Sequence, residues 1–182
     1  MKEQSITQIL SFWFEETTPK QWFTKDADFD ALLAARFGKL VGDALGGRLD
    51  SWAVNKDGTL ALILLLDQMT RNIHRDTPLA FAGDEMALAH ALNAVSKGYL
   101  DEEPSVQNIF TLMPLMHSED AAIHEKAQPL FAKYTFEQVQ DALQQHSVII
   151  ERFGHYPHRN AIVGRPSTDE EIAFLKEPNS SF

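Results

Sequence analysis

No cysteine occurs anywhere in the 182 residues. That one absence removes disulfide frameworks, cysteine-ligated zinc, iron–sulfur clusters and thiol nucleophiles together. Basic residues are scarce: 16 Lys and Arg stand against 26 Asp and Glu, a net charge of −10. Nucleic-acid binding needs a basic footprint to displace counterions from phosphates, so the charge argues against a nucleic-acid partner. Long apolar runs are missing too. The longest, Leu60 to Leu66, is far short of the ~20 residues a membrane-crossing helix requires, which argues against a membrane partner. The stretch from Met1 to Glu16 has no basic start, apolar middle and small-residue cleavage site, so the expected location is the cytoplasm.

What is present is ordinary globular composition, 44% hydrophobic, in a chain of one-domain length. Chains near ~150 residues bury roughly 70% of their unfolded surface in a single core, so residues 1–182 are expected to form a single domain. The periodicity is helical throughout, and no run alternates as a strand would. Ile6, Ile9, Leu10, Trp13 and Phe14 share one stripe of a helix over about residues 4–16, which Pro19 is expected to end. A second helix is expected over about 26–45, with Gly46-Gly47 as its stop. A third, about 58–72, is apolar on every side from Leu60 to Leu66, which places it in the middle of the molecule.

Further helices are expected over about 78–97, 104–117, 119–133 and 135–153. Pro78 and Pro104 would open the first two, Ser118 would cap the third and Thr135 the fourth. Pro114 and Pro129 predict kinks or boundaries. Residues 154–167 read as irregular, and a last short helix begins after Ser167 or Thr168. The fold class is therefore all-α, an antiparallel array of about seven to eight helices in hairpins, without a strict repeat.

Three polar constellations interrupt this pattern. Asp67 and Arg71 stand four apart and can pair on one helix face, directly after the apolar run. Such a pair is either an ordinary bridge or part of a pocket, and Asn72 beside it is either a left-handed helix cap or a ligand group. His117, Asp120 and His124 would share a face if their helix were continuous, but no known metal spacing is present and helix capping explains the acids equally well, so no metal is assigned. From Arg152 to Arg165 the chain carries three arginines and two histidines with no acidic residue. That local inversion of charge suggests an anion site, since arginine's planar fork matches carboxylate or phosphate; the alternative is a structural clamp on acidic helices. Asp26, Asp28 and Asp30 lack the glycine and glutamate of a calcium loop and read as helix N-terminal charge. Trp13, Trp22 and Phe23 read as core. No glycine-rich nucleotide loop or serine-hydrolase elbow occurs.

Taken together, these segments resemble the bacterial domain-of-unknown-function 924 family. The resemblance rests on Leu65-Leu66-Asp67-Gln68 with Arg71-Asn72, on His117-Ser118-Glu119-Asp120, and on Phe153-Gly154 with Pro157-His158-Arg159-Asn160 and Gly164-Arg165. It spans Phe12-Trp13-Phe14 to Ser180-Ser181-Phe182. It implies an all-helical fold similar to tetratricopeptide-repeat proteins and supplies no activity, substrate or cofactor. His124 lies outside its pattern, and Thr70 stands where the pattern has proline.

The residues then point to one concave pocket formed by the end of the central helix, the 117–120 turn and the 155–165 segment. Arg71, Arg159 and Arg165 would hold a small anionic ligand, bordered by Asn72, Asp120 and Asn160. His117 or His158 would act as general base, oriented by Asp67 or Glu119, with water as nucleophile in a hydrolysis or related group transfer. Two other classes compete: a tetratricopeptide-like module with a protein partner, and a buried polar network that only fixes helix junctions. No heptad pattern specifies an oligomer.

Overall fold

A computed structural model describes residues 2–181 of the chain. Every regular element among the described residues is helical, and none is a strand. Helix α1 (Lys2–Ser11) runs into one wide π turn over Phe12–Glu16. The short α2 (Pro19–Phe23) follows, then α3 (Ala27–Leu45). Asp26 caps α3 by accepting from the N–H groups of Asp28 and Phe29 at 3.0 and 3.1 Å, satisfying donors that a helix start leaves open.

The central helix comprises α4 (Lys56–Ile63), a π turn over Leu64–Met69 and α5 (Thr70–Ile73). Its apolar run is buried at every position from Leu60 to Leu66, because α4 packs against α1, α6 (Asp84–Ser96) and α7 (Val106–His117), while α3 and α6 cover the π turn. Burial of each leucine stabilises by roughly 1.5–3 kcal/mol. Consecutive helices α6, α7, α8 (Ala121–Tyr134) and α9 (Glu137–Phe153) pack on one another in turn. A 3-10 turn (Pro157–Arg159), α10 (Asn160–Val163) and α11 (Asp169–Phe174) complete the chain.

Several boundaries differ from those read in the sequence. Pro19 opens α2 rather than simply ending α1, because its missing N–H is no loss at a first helical position. Helix α7 begins at Val106 rather than Pro104, with Ser105 as its cap, the hydroxyl accepting from the Asn108 N–H at 3.1 Å. Asp120, not Ser118, caps α8, and the residue before α9 is Phe136 rather than Thr135, whose hydroxyl turns back to the Phe131 carbonyl. Pro114 and Pro129 lie inside α7 and α8 without ending either helix. The 154–167 stretch is partly helical. Of the three aromatic residues read as core, Trp13 is buried, whereas Phe23 is 67% exposed.

One glycine has a direct positional consequence. A Cβ at Gly83 would sit 2.1 Å from the Leu66 carbonyl oxygen, so the start of α6 lies against the central helix at a distance only glycine permits. Asp84 follows immediately.

Candidate functional site

The π turn carries the innermost charge. Thr70 closes that turn: its backbone N–H and its hydroxyl both donate to the Leu65 carbonyl, the hydroxyl at 2.6 Å. A proline at that position would supply neither bond, so this chain closes the turn with hydrogen bonds its own threonine provides. Single π turns inside α-helices occur frequently at functional sites. Asp67, in the middle of this one, is fully buried.

Three donors from three residues converge on the Asp67 side chain. Arg71 Nη1 donates to Oδ1 at 2.8 Å, His117 Nδ1 lies 2.7 Å from the same oxygen, and the Gln68 amide donates to Oδ2. Arg71 also reaches the Asp67 carbonyl at 2.9 Å. Burial alone would raise this carboxyl, but Arg71, His117 and Gln68 together outweigh it and hold Asp67 well below the usual carboxylate range. Burial moves His117 the other way. It lowers the imidazole below its ordinary range despite the pull of Asp67, so the ring is neutral near pH 7. The His117 side chain keeps 16% of its surface exposed, and among the described residues nothing hydrogen-bonds its Nε2.

A second carboxylate, which the spacing of the motifs does not reveal, ties this group to the C-terminal segment. Asp84 Oδ2 accepts from Arg71 Nη2 at 3.0 Å and from Arg159 Nη1 at 3.1 Å. Arg159 Nη2 donates to the His117 carbonyl at 3.0 Å, fixing the end of α7. The Arg159 guanidinium lies over the rings of Phe81 and Tyr156, 4.7 Å from each centroid, and Arg71 lies 5.7 Å from Phe81. Two carboxylates and two guanidiniums thus balance in one cluster.

A third group continues from it. Glu119 accepts from Arg165 Nη2 at 2.7 Å and from the Tyr156 N–H at 3.0 Å. Arg165 Nη1 also reaches Asn160 Oδ1 at 3.2 Å, and the Asn160 amide donates to Ser167 Oγ at 3.0 Å. Glu171 binds His155 and the Thr168 N–H, closing the capping box of α11 against the same segment. The buried Tyr156 hydroxyl donates to the Met116 carbonyl.

The three predicted segments therefore do converge, through Asp67–His117, Arg159–His117 and Arg165–Glu119. Other expectations are relocated. Asn72 lies inside α5 rather than in a left-handed cap, and its amide donates to Asp30 at 2.8 Å beside the Arg75 guanidinium. Asp120 caps α8 through the Ala122 N–H at 2.8 Å. His158 packs against Tyr156 at 5.6 Å between centroids, and burial lowers it to about 4. His117 and His124 sit on separate helices, so the shared face they would need does not form; His124 is engaged with Ser147 and the Ser118 carbonyl. Each of the three arginines expected to receive an anion is bonded to a carboxylate of the chain itself.

The model of a family described as bacterial protein of unknown function, DUF924, matches residues 9–179. The chain belongs to that family. A solved structure of a protein of unknown function from Agrobacterium tumefaciens is 34% identical, and the match covers 97% of this chain and 99% of that one at a TM-score of 0.89. None of the curated proteins matches. The segments on which the sequence resemblance rests contain Asp67, His117 and Arg159 of this network. Asp84 and Phe81 lie outside the quoted motifs. An acidic residue in a helix's first turn reads as complement to the helix dipole, so only the close approach at Gly83 exposes the second role of Asp84.

Proposed function

We propose that Asp67 and His117 form the general base of a small-molecule site, that its ligand carries an acidic group, and that the reaction is hydrolysis or a related group transfer with water as nucleophile. One observation carries the reading: a fully buried carboxylate lies 2.7 Å from Nδ1 of an imidazole that remains partly exposed. A carboxylate at Nδ1 holds the tautomer whose Nε2 lone pair faces outward. A base must also be neutral at working pH, which burial supports here. The alternative pairing of His158 with Glu119 has less support, because burial lowers His158 to about 4, further from neutral pH than suits a general base.

Arg71, Arg159 and Arg165 provide the cationic side, with Asn160 beside Arg165. Their forks suit a carboxylate or phosphate, which would have to exchange with the chain's own acids. The test has two parts. Nitrogen-15 spectra of the histidine rings should find the His117 proton on Nδ1; a proton on Nε2 would remove the base. A panel of small carboxylic and phosphoric esters should then yield a substrate whose turnover falls by about 10²–10⁴-fold in His117→Gln, the usual worth of a positioned base, with Tm little changed.

A protein-interaction module is the second reading, and Phe23 favours it: this exposed ring stacks on Phe110 at 6.4 Å, beside Trp22. On that reading Phe23→Ser abolishes partner capture while His117→Gln leaves it intact.

A further inference from the structure

The contacts of the two site carboxylates differ in a way that their common role as counterions does not require. Asp67 has no exposed surface and is held by Arg71, His117 and Gln68. Asp84 keeps 19% of its side chain exposed and is held by one oxygen shared between two guanidiniums. Its other oxygen, Oδ1, lies 3.0 Å from Arg71 Nη1 but takes no hydrogen bond. Arg159 Nε likewise has no acceptor among the described residues, although Arg159 is more than nine-tenths buried. A buried charged donor left without an acceptor is costly, and Asp84 Oδ1 goes unmet as well, so Asp84 and the guanidinium forks do not complete one another.

We propose that Asp84 is a built-in competitor for the ligand: an incoming carboxylate or phosphate takes the Arg71 and Arg159 forks by displacing the Asp84 carboxylate. This rests on the anionic-ligand reading given above and adds the means by which the ligand gains the arginines. Displacement is cheap for Asp84 because it occupies the first position of α6, where its charge faces the positive end of the helix and can turn to solvent. Displacement of Asp67 is not, since that carboxylate has no exposed surface and would keep only the neutral His117 and Gln68 as partners. Arg159 is also the group that holds the His117 carbonyl, so a ligand on this fork lies at the end of α7 that carries the proposed base.

Arginine side-chain N–H resonances, followed while the native chain is titrated with inorganic phosphate or with acetate at constant ionic strength, test the proposal. We expect the Arg159 Nε–H to shift with either anion and Asp84→Asn to bind at least about tenfold more tightly. The Asp84 carboxyl carbon of the native chain should move in step with Arg159, a readout that survives if the variant fails to fold. Equal affinities for native chain and variant, or an unmoved Asp84 carbon, would overturn the competitor while leaving the anion site standing. Binding by the variant alone would make Asp84 a permanent counterion and overturn it as well. Silence from Arg159 in both proteins would remove the anion site and the competitor together.

Discussion

His117 Nδ1 and Asp67 Oδ1, fifty residues apart in sequence, stand 2.7 Å apart at the junction of α7 with the central helix. Removing that charge should be felt twice. Asp67→Asn leaves Arg71 partly unpaired in a buried setting, which costs about 3–5 kcal/mol. It also withdraws the anion that favours imidazolium, so the His117 pKa should fall further below its native value. Urea unfolding measures the first effect and a carbon-13 titration of the imidazole the second; a His117 pKa that rises would contradict the pairing.

Acid should weaken the fold well above the carboxylate range. Burial lowers His158 to about 4 and His146 to about 3, against an ordinary 6.5. Between those values the unfolded chain binds protons that the folded chain refuses, so stability is full above pH 6.5 and falls as pH drops toward 4 and then 3. Each group contributes about 1.4 kcal/mol per pH unit inside its window, a combined loss of about 3 kcal/mol or more between pH 6.5 and 5. Asp67, whose carboxyl is held low, adds a loss only below pH 3.8. Chemical denaturation at pH 7 and pH 5 should reveal the histidine part, and His158→Gln should flatten it.

Asn72 separates architecture from chemistry. Its amide serves Asp30 on α3, not the Asp67 group. Asn72→Ala should cost about 1–2 kcal/mol of stability and leave the His117 titration where it was. A shifted His117 curve would place Asn72 in the site after all.

Thr70 gives a test of the wide turn. Thr70→Val keeps the N–H to Leu65 and loses the hydroxyl bond at 2.6 Å, so a loss of about 1 kcal/mol is expected. Increased amide exchange should be confined to the Leu64–Met69 turn and α5.

The helical class and the central position of Leu60 to Leu66 were legible because each depends on local pattern. Periodicity reports a buried face, and an all-apolar run reports a helix with neighbours on every side. What was not legible depends on backbone contacts between distant elements. The π turn at Leu64–Met69 has no residue signature, so the orientation of Asp67 within it had to be seen. The same holds for Asp84, which the sequence reading puts inside a helix expected over about 78–97, whereas α6 starts at that residue. The Arg152 to Arg165 stretch was basic in sequence and neutral in space, because Glu119, Asp84 and Glu170 come to it from other elements. The starts of α7, α8 and α9 differ from the sequence reading at Pro104, Ser118 and Thr135, where two or three eligible residues stand together and tertiary contacts choose among them.

The contact at Gly83 makes one hydrogen atom a spacer for the whole cluster. With a Cβ due to fall 2.1 Å from the Leu66 oxygen, even alanine must push the first turn of α6 away from the central helix. Asp84 is the next residue, and the arginines it joins belong to two other elements. A single methyl group would therefore draw Asp84 away from both Arg71 and Arg159, and the separation between two helix backbones becomes the dial on which the electrostatics of this network is set.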